Sequence, residues 1–195
     1  MYELGERENM ALQAEKIILG IDPGTNIMGY GLIACTGSKY KLIDLGTLHM
    51  SKVKEPMDKL QLIFKETSRL ITEFGVHELA IEEPFYGKNI QSMLKLGRAQ
   101  GMAIAAAIHE NIPVYQYAAR KIKQSITGNG ASSKEQVAGM LQHLLGLKEI
   151  PEKLDATDGL SVAVCHFYQN GTQNISSPKY NSWQNFLSQN PDRIK

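Results

Sequence analysis

The sequence predicts an α/β domain: a mixed sheet, part antiparallel meander and part parallel strands, flanked by helices. Three observations lead there. Residues 16–50 contain three apolar, strand-like runs joined by short turns; residues 57–74 switch to a helical period; from residue 79 short apolar runs alternate with helix-length segments. The 195 residues, 43% of them hydrophobic, suffice for one domain with a substantial core.

The first strand is Lys16-Ile17-Ile18-Leu19-Gly20-Ile21-Asp22, an apolar run that reads as buried on both faces. It ends on a carboxylate, and Pro23-Gly24 turns the chain sharply behind it. Met28 to Cys35 is a second strand with small residues against that turn. Thr36-Gly37-Ser38 is a hairpin loop, and Tyr40 to Met50 a third strand. Between Met57 and Phe74, residues Leu60, Ile63, Phe64, Leu70, Ile71 and Phe74 recur at helical spacing, and Gly75 closes that helix. Leu79-Ala80-Ile81-Glu82-Glu83 is a short strand that again ends on acid, before Pro84. A helix follows from about Asn89 to Glu110, then a strand at Pro113 to Tyr117 and a short helix at Ala118 to Ser125. After the loop Gly128-Asn129-Gly130, Ser132-Ser133-Lys134-Glu135-Gln136 resembles a capping box opening a helix to Leu145. The last core helix spans about Lys153 to Tyr168.

Residues 1–15 read as an acidic N-terminal extension, 16–168 as the folded domain, and 169–195 as an Asn-, Gln- and Ser-rich tail. In that tail Trp183, Phe186 and Leu187 stand at i, i+3, i+4 behind Ser182, a short amphipathic helix stopped by Pro191. The extension lacks the basic start and apolar middle of a signal peptide, and the most apolar run, Gly101 to Ile108, is too short to span a bilayer. Cys35 and Cys165 lie in apolar runs without metal-ligand spacing, as buried thiols of a reducing compartment. The scattered histidines speak against zinc. A soluble, cytoplasmic protein with no membrane partner is expected.

Chemistry concentrates in the acids. Asp155 and Asp158 stand at i and i+3 near the start of the last helix, on one face, in a segment otherwise apolar on every side. With Asp22 and either Glu82 or Glu83 at strand ends, four carboxylates would converge. They could not all stay ionised without a cation. All-oxygen ligation selects magnesium or manganese, and two such ions about 3.5–4 Å apart form the clamp used for in-line phosphodiester hydrolysis.

The motifs Ile18-Leu19-Gly20-Ile21-Asp22-Pro23-Gly24, Ala80-Ile81-Glu82, Leu94-Lys95-Leu96-Gly97, Tyr117-Ala118-Ala119-Arg120 and Asp155-Ala156-Thr157-Asp158-Gly159-Leu160 resemble the RuvC-type Holliday junction resolvases, in order and from about Lys16 to Phe167. The resemblance implies a ribonuclease H-like fold, a homodimer, and two Mg2+ per site, with Mn2+ able to substitute. It implies symmetric, metal-dependent cleavage of four-way junction DNA in recombination and repair, leaving 5′-phosphate and 3′-hydroxyl nicks, with the RuvA–RuvB branch-migration complex as a partner. Its four catalytic and metal-binding acids fall on Asp22, Glu82, Asp155 and Asp158. Lys123 and Lys134 fall nearest the scissile phosphate, and Phe85 on an aromatic that stacks on DNA bases.

The charge distribution points to a polyanion independently. Between Pro84 and Lys134 stand Lys88, Lys95, Arg98, Arg120, Lys121, Lys123 and Lys134 against one acid, Glu110, while the whole chain carries only +1. Phe85-Tyr86 lies directly after the second acid and before Gly87-Lys88, where an exposed ring would meet an unpaired base. The helix from Asn89 to Glu110 is apolar on more than one face, as expected if it touches both the sheet and a second copy of the chain. Two other classes compete. An Asp-x-Gly-Thr turn also opens the phosphate site of actin-like and sugar-kinase ATPases, but the chain is too short for their duplicated domains and shows no later glycine-rich loop. A junction-binding protein with a dead nuclease fold would not need all four acids.

Overall fold

A computed structural model describes residues 14–84, 89–146 and 154–171. Strands β1 (Lys16–Asp22), β2 (Ile27–Thr36) and β3 (Lys39–His49) form the antiparallel meander, turned at Gly37 in the left-handed region. Strands β4 (Glu78–Glu82) and β5 (Val114–Tyr117) add in parallel on the other side of β1, giving the order β3-β2-β1-β4-β5. The expected mixed sheet is thus present, with β1 at its centre.

Helices α1 (Pro56–Phe74) and α2 (Ile90–His109) cover one face. Ile17, Leu19, Ile21, Leu79 and Ile81 point there and join Ile63, Leu70, Ala99 and Ala103 in one buried cluster. Helices α3 (Ala119–Thr127), α4 (Lys134–Leu145) and α5 (Leu154–Gly171) cover the other face. Ile18, Ile33 and Ala80 meet Ile122, Val137, Leu141, Leu160 and Ala163 in a second cluster. Strand alternation explains the split, because successive residues of β1 face opposite layers. Both cysteines are buried and free.

Local signals set most helix ends. Pro56 opens α1 and Gly75, at φ 61°, closes it with its N–H on the Ile71 carbonyl. Ser133 and Gln136 make the reciprocal capping box of α4. Helix α5 runs three residues past the 168/169 boundary read from composition. The extension before residue 14, Phe85, Tyr86 and Lys88, and the tail segment with Trp183, Phe186 and Leu187 lie outside the described residues.

Helix α5 lies unusually close to β1 and β2 because glycines line the contact. A Cβ on Gly29 would stand 1.9 Å from the Asp155 carbonyl oxygen, and one on Gly31 2.4 Å from Leu160 Cα. On the helix side, a Cβ on Gly159 would stand 2.5 Å from Tyr30 Cα. Backbone rests on backbone, which places the first turn of α5 over the end of β1.

Candidate active site

β1 and β4 are parallel neighbours, so both deliver their last residue to the same edge of the sheet. The register pairs Gly20 with Ala80 and Ile21 with Ile81, which sets Asp22 beside Glu82. Ile18 and Ala80 face the α5 layer, and by alternation so do Asp22 and Glu82. The two adjacent acids are placed differently. Glu82 lines the cleft with Asp22, whereas Glu83 is exposed and anchors only its backbone, to the Tyr117 carbonyl at 3.0 Å.

The cleft has a volume of about 180 Å³ and is lined by Asp22, Glu82, Lys123, Lys134, Asp158 and Ser161 over an apolar floor of Ile122 and Val137. Asp158 lies in the first turns of α5 with a side chain only 15% exposed. Asp155, one turn earlier, is 41% exposed at the rim. The expectation that the apolar helix leaves little solvent for either carboxylate holds for Asp158 and is corrected for Asp155, which is well exposed although Ala156 and Thr157 beside it are buried. Lys134, the first residue of α4, reaches back to ion-pair with Asp158 and stands 4.0 Å from Asp155.

Crowded carboxylates raise one another's pKa, and burial does so further. Asp22 is pushed up to about 7, chiefly by burial and then by the Asp158 charge, with Lys134 opposing. Glu82 is pushed up to about 8, again by burial first and then by Asp22 and Asp158. Lys134 is held above its ordinary value despite burial, because Asp158 accepts its hydrogen bond. Such a site is short of positive charge, and the side chains in it that could ligate a cation are carboxylates and the Ser161 hydroxyl. That donor set suits a hard, oxygen-loving divalent cation and not zinc. Among the described residues no three acidic, histidine or cysteine side chains already stand together as a metal cage. The Lys134 ammonium lies within ion-pair reach of both Asp158 and Asp155.

The remaining basic residues lie elsewhere. Lys123 lines the cleft from α3, while Arg120 and Lys121 on α3 and Lys95 and Arg98 on α2 are exposed and do not line it. On α2 the exposed apolar residues form a stripe: Ile90 is 68% exposed, Leu94 53% and Ile108 65%. Gly97 and Gly101 lie between them, with open space where a Cβ would stand.

Two features escaped the sequence reading. Gln100, nearly buried on α2, donates from Nε2 to the Glu82 carbonyl at 3.2 Å and to Gln116 Oε1 at 3.1 Å, tying the end of β4 to the helix. A single amide among Ala99, Ala103 and Ala107 was the available signal. At the other end of β4, Glu78 accepts from Lys16 at 2.7 Å and shares a hydrogen bond with buried His166 at 2.8 Å. His166 in turn contacts the Tyr117 hydroxyl at 2.6 Å. These partners come from four elements, so no local pattern announces them.

Comparison with known proteins shows what the chain is similar to. Residues 18–166 match the family model described as "Crossover junction endodeoxyribonuclease RuvC". The protein of that name from Cytophaga hutchinsonii is 54% identical over 188 residues, covering 96% of this chain and 92% of the relative. Among solved structures, Thermus thermophilus RuvC superposes with a TM-score of 0.71 at 31% identity, covering 79% of this chain and 95% of that one. The T. thermophilus protein in complex with a Holliday junction substrate gives 0.70 at 28% identity, covering 80% and 96%.

Proposed function

The chain belongs to the RuvC family of crossover junction endodeoxyribonucleases, and on that premise we propose that it resolves four-way DNA junctions by hydrolysing one phosphodiester in each of two symmetry-related strands. The observation that carries the reading is the meeting of Asp22, Glu82 and Asp158, from three separate elements, in one cleft with Lys123 and Lys134, and with Asp155 at its rim.

Asp22, Glu82, Asp155 and Asp158 are the residues that would hold divalent ions, two Mg2+ by the family resemblance, with Mn2+ as a substitute. Such ions, when bound, supply a water of lowered pKa and charge stabilisation at the leaving oxygen. The chain's own contribution is positioning. The rigid β1–β4 register holds two of the acids, the glycine bed under α5 holds the other two, and the apolar floor limits water around them. Lys123 and Lys134 supply positive charge where phosphate would approach. The exposed Lys95, Arg98, Arg120 and Lys121, together with Lys88, would follow the DNA backbone, and Phe85 and Tyr86, directly after the Glu82 strand, would stack on bases at the crossover.

The apolar stripe of Ile90, Leu94 and Ile108, opened by Gly97 and Gly101, supports a homodimer through α2. Two sites related by a twofold axis would match the two equivalent strands of a junction. Among the described residues no helix is long and apolar enough to cross a membrane. We place the protein in the cytoplasm, acting with the RuvA–RuvB branch-migration complex. The deciding experiment is cleavage of a synthetic mobile four-way junction against linear duplex in Mg2+. Selective, paired nicking that disappears in Asp22→Asn and Asp158→Asn, with junction binding retained, is expected; equal cutting of linear duplex would overturn the reading.

A further inference from the structure

The ammonium of Lys134 is the cation around which the site's carboxylates gather. It is paired with Asp158, lies 4.0 Å from Asp155, and shares the cleft with Asp22 and Glu82. Its position in the chain is costly on local grounds. Lys134 is the first residue of α4, where the helix dipole favours acids and disfavours a lysine. The Ser133–Gln136 capping box anchors the backbone at that point, with Ser133 N–H donating to Gln136 Oε1 at 2.9 Å. The side chain beyond it is a flexible four-carbon stem, 53% exposed. The root of the lysine is therefore fixed and its tip is free to leave.

Asp158 is also the helix acid best placed to share a divalent ion with Asp22 and Glu82, since it is the less exposed member of the helix pair and lines the same cleft as both strand acids. One carboxylate cannot serve the lysine and the ion equally. We propose that Lys134 is a built-in competitor for the metal: the ammonium neutralises Asp158 until a divalent ion binds, is expelled by it, and is then presented at the cleft mouth to the substrate phosphate. This rests on the metal-dependent reading above. It adds that metal binding and release of Lys134 are one event, so the lysine turns toward phosphate only at a site already loaded.

The consequence has an unusual sign. Removing a residue of the reaction machinery should tighten metal binding. In titrations of the full chain with Mg2+ and with Mn2+, without DNA, followed by calorimetry and by thermal shift, Lys134→Met should bind about three- to fivefold more tightly than wild type, the gain expected from removing one half-exposed ion pair. Lys123→Met serves as the charge control. Lys123 lines the same cleft, but among the described residues no carboxylate lies within ion-pair distance of it, so its gain should be clearly smaller. Circular dichroism confirms that both variants fold, and Lys134→Gln provides a second substitution of the same kind. Unchanged or weaker metal binding in both Lys134 variants would overturn the proposal, because the lysine would then be holding Asp158 in place for the metal. A gain equal to that of Lys123→Met would overturn it as well, since net charge alone would account for it. Failure of the junction-cleavage reading shows separately, as wild-type protein that binds Mg2+ and does not cut.

Discussion

Gly29→Ala tests how the site is assembled without touching an acid. The new Cβ would stand 1.9 Å from the Asp155 carbonyl oxygen, about 1.5 Å inside the 3.4 Å at which ordinary contact begins. The atom it meets is helix backbone, so no side-chain rotation relieves the clash. Either β2 bends away or the first turn of α5 lifts, and β2 is held on both sides by β1 and β3. Overpacking of this kind costs about 1–3 kcal/mol. For a chain of this size each kcal/mol lowers the melting temperature by about 2–4 °C, so a fall of roughly 2–12 °C is expected. The larger effect is on chemistry. Lifting the turn by about an ångström carries Asp155 and Asp158 away from Asp22 and Glu82, and a displacement of that size costs on the order of a hundredfold in rate. Melting curves, together with single-turnover cleavage of a four-way junction in saturating Mg2+, measure both. A variant that melts at the wild-type temperature and cuts at the wild-type rate would refute the idea that the glycine bed positions the helix acids. One that melts lower but cuts normally would show that the site tolerates the shift.

Glu82→Gln should abolish cutting while Glu83→Gln cuts normally, because only Glu82 faces the cleft; the reverse outcome in the same cleavage assay would mean that the strand register differs. Stability without metal should fall as pH rises. Asp22 and Glu82 are held up at about 7 and 8 in the fold against ordinary values of 3.8 and 4.5. The native state therefore keeps protons that the unfolded chain has lost, and stability present at low pH drains away through that window. Melting temperatures from pH 5 to 8 should show a decline that Mg2+ offsets most at the alkaline end, and that is absent from the Asp22→Asn, Glu82→Gln double variant. Leu94→Glu, on the exposed stripe of α2, should convert a dimer to a monomer in sedimentation velocity while leaving the melting curve of the monomer intact; a persistent dimer would place the interface elsewhere.

Much of this protein was legible in the residues alone, because much of it rests on local rules. A short continuous apolar run in Lys16–Asp22 and period 3.6 in Pro56–Phe74 declare strand and helix, Gly75 and the Ser133–Gln136 pair declare helix ends, and an acid directly after an apolar strand declares a strand end exposed to chemistry. Ordered motifs around Asp22, Glu82 and Asp155–Asp158 were enough to suggest the family that the comparisons then showed. Three matters rest on the tertiary structure. Alternation left Glu82 and Glu83 open and the family resemblance named Glu82; that its side chain and not that of Glu83 lines the cleft depends on which layer β4 turns toward each residue, a fact of sheet packing. The approach of α5 depends on Gly29 meeting Asp155 and Gly159, and Gly31 meeting Leu160, from more than a hundred residues away. The pairing of Lys134 with Asp158 joins the beginnings of two helices that carry no mark of each other in the chain. Short-range preferences are written residue by residue. Electrostatic and steric fit between distant segments exists only once the sheet has brought them within a few ångströms, and there the character of this site is set.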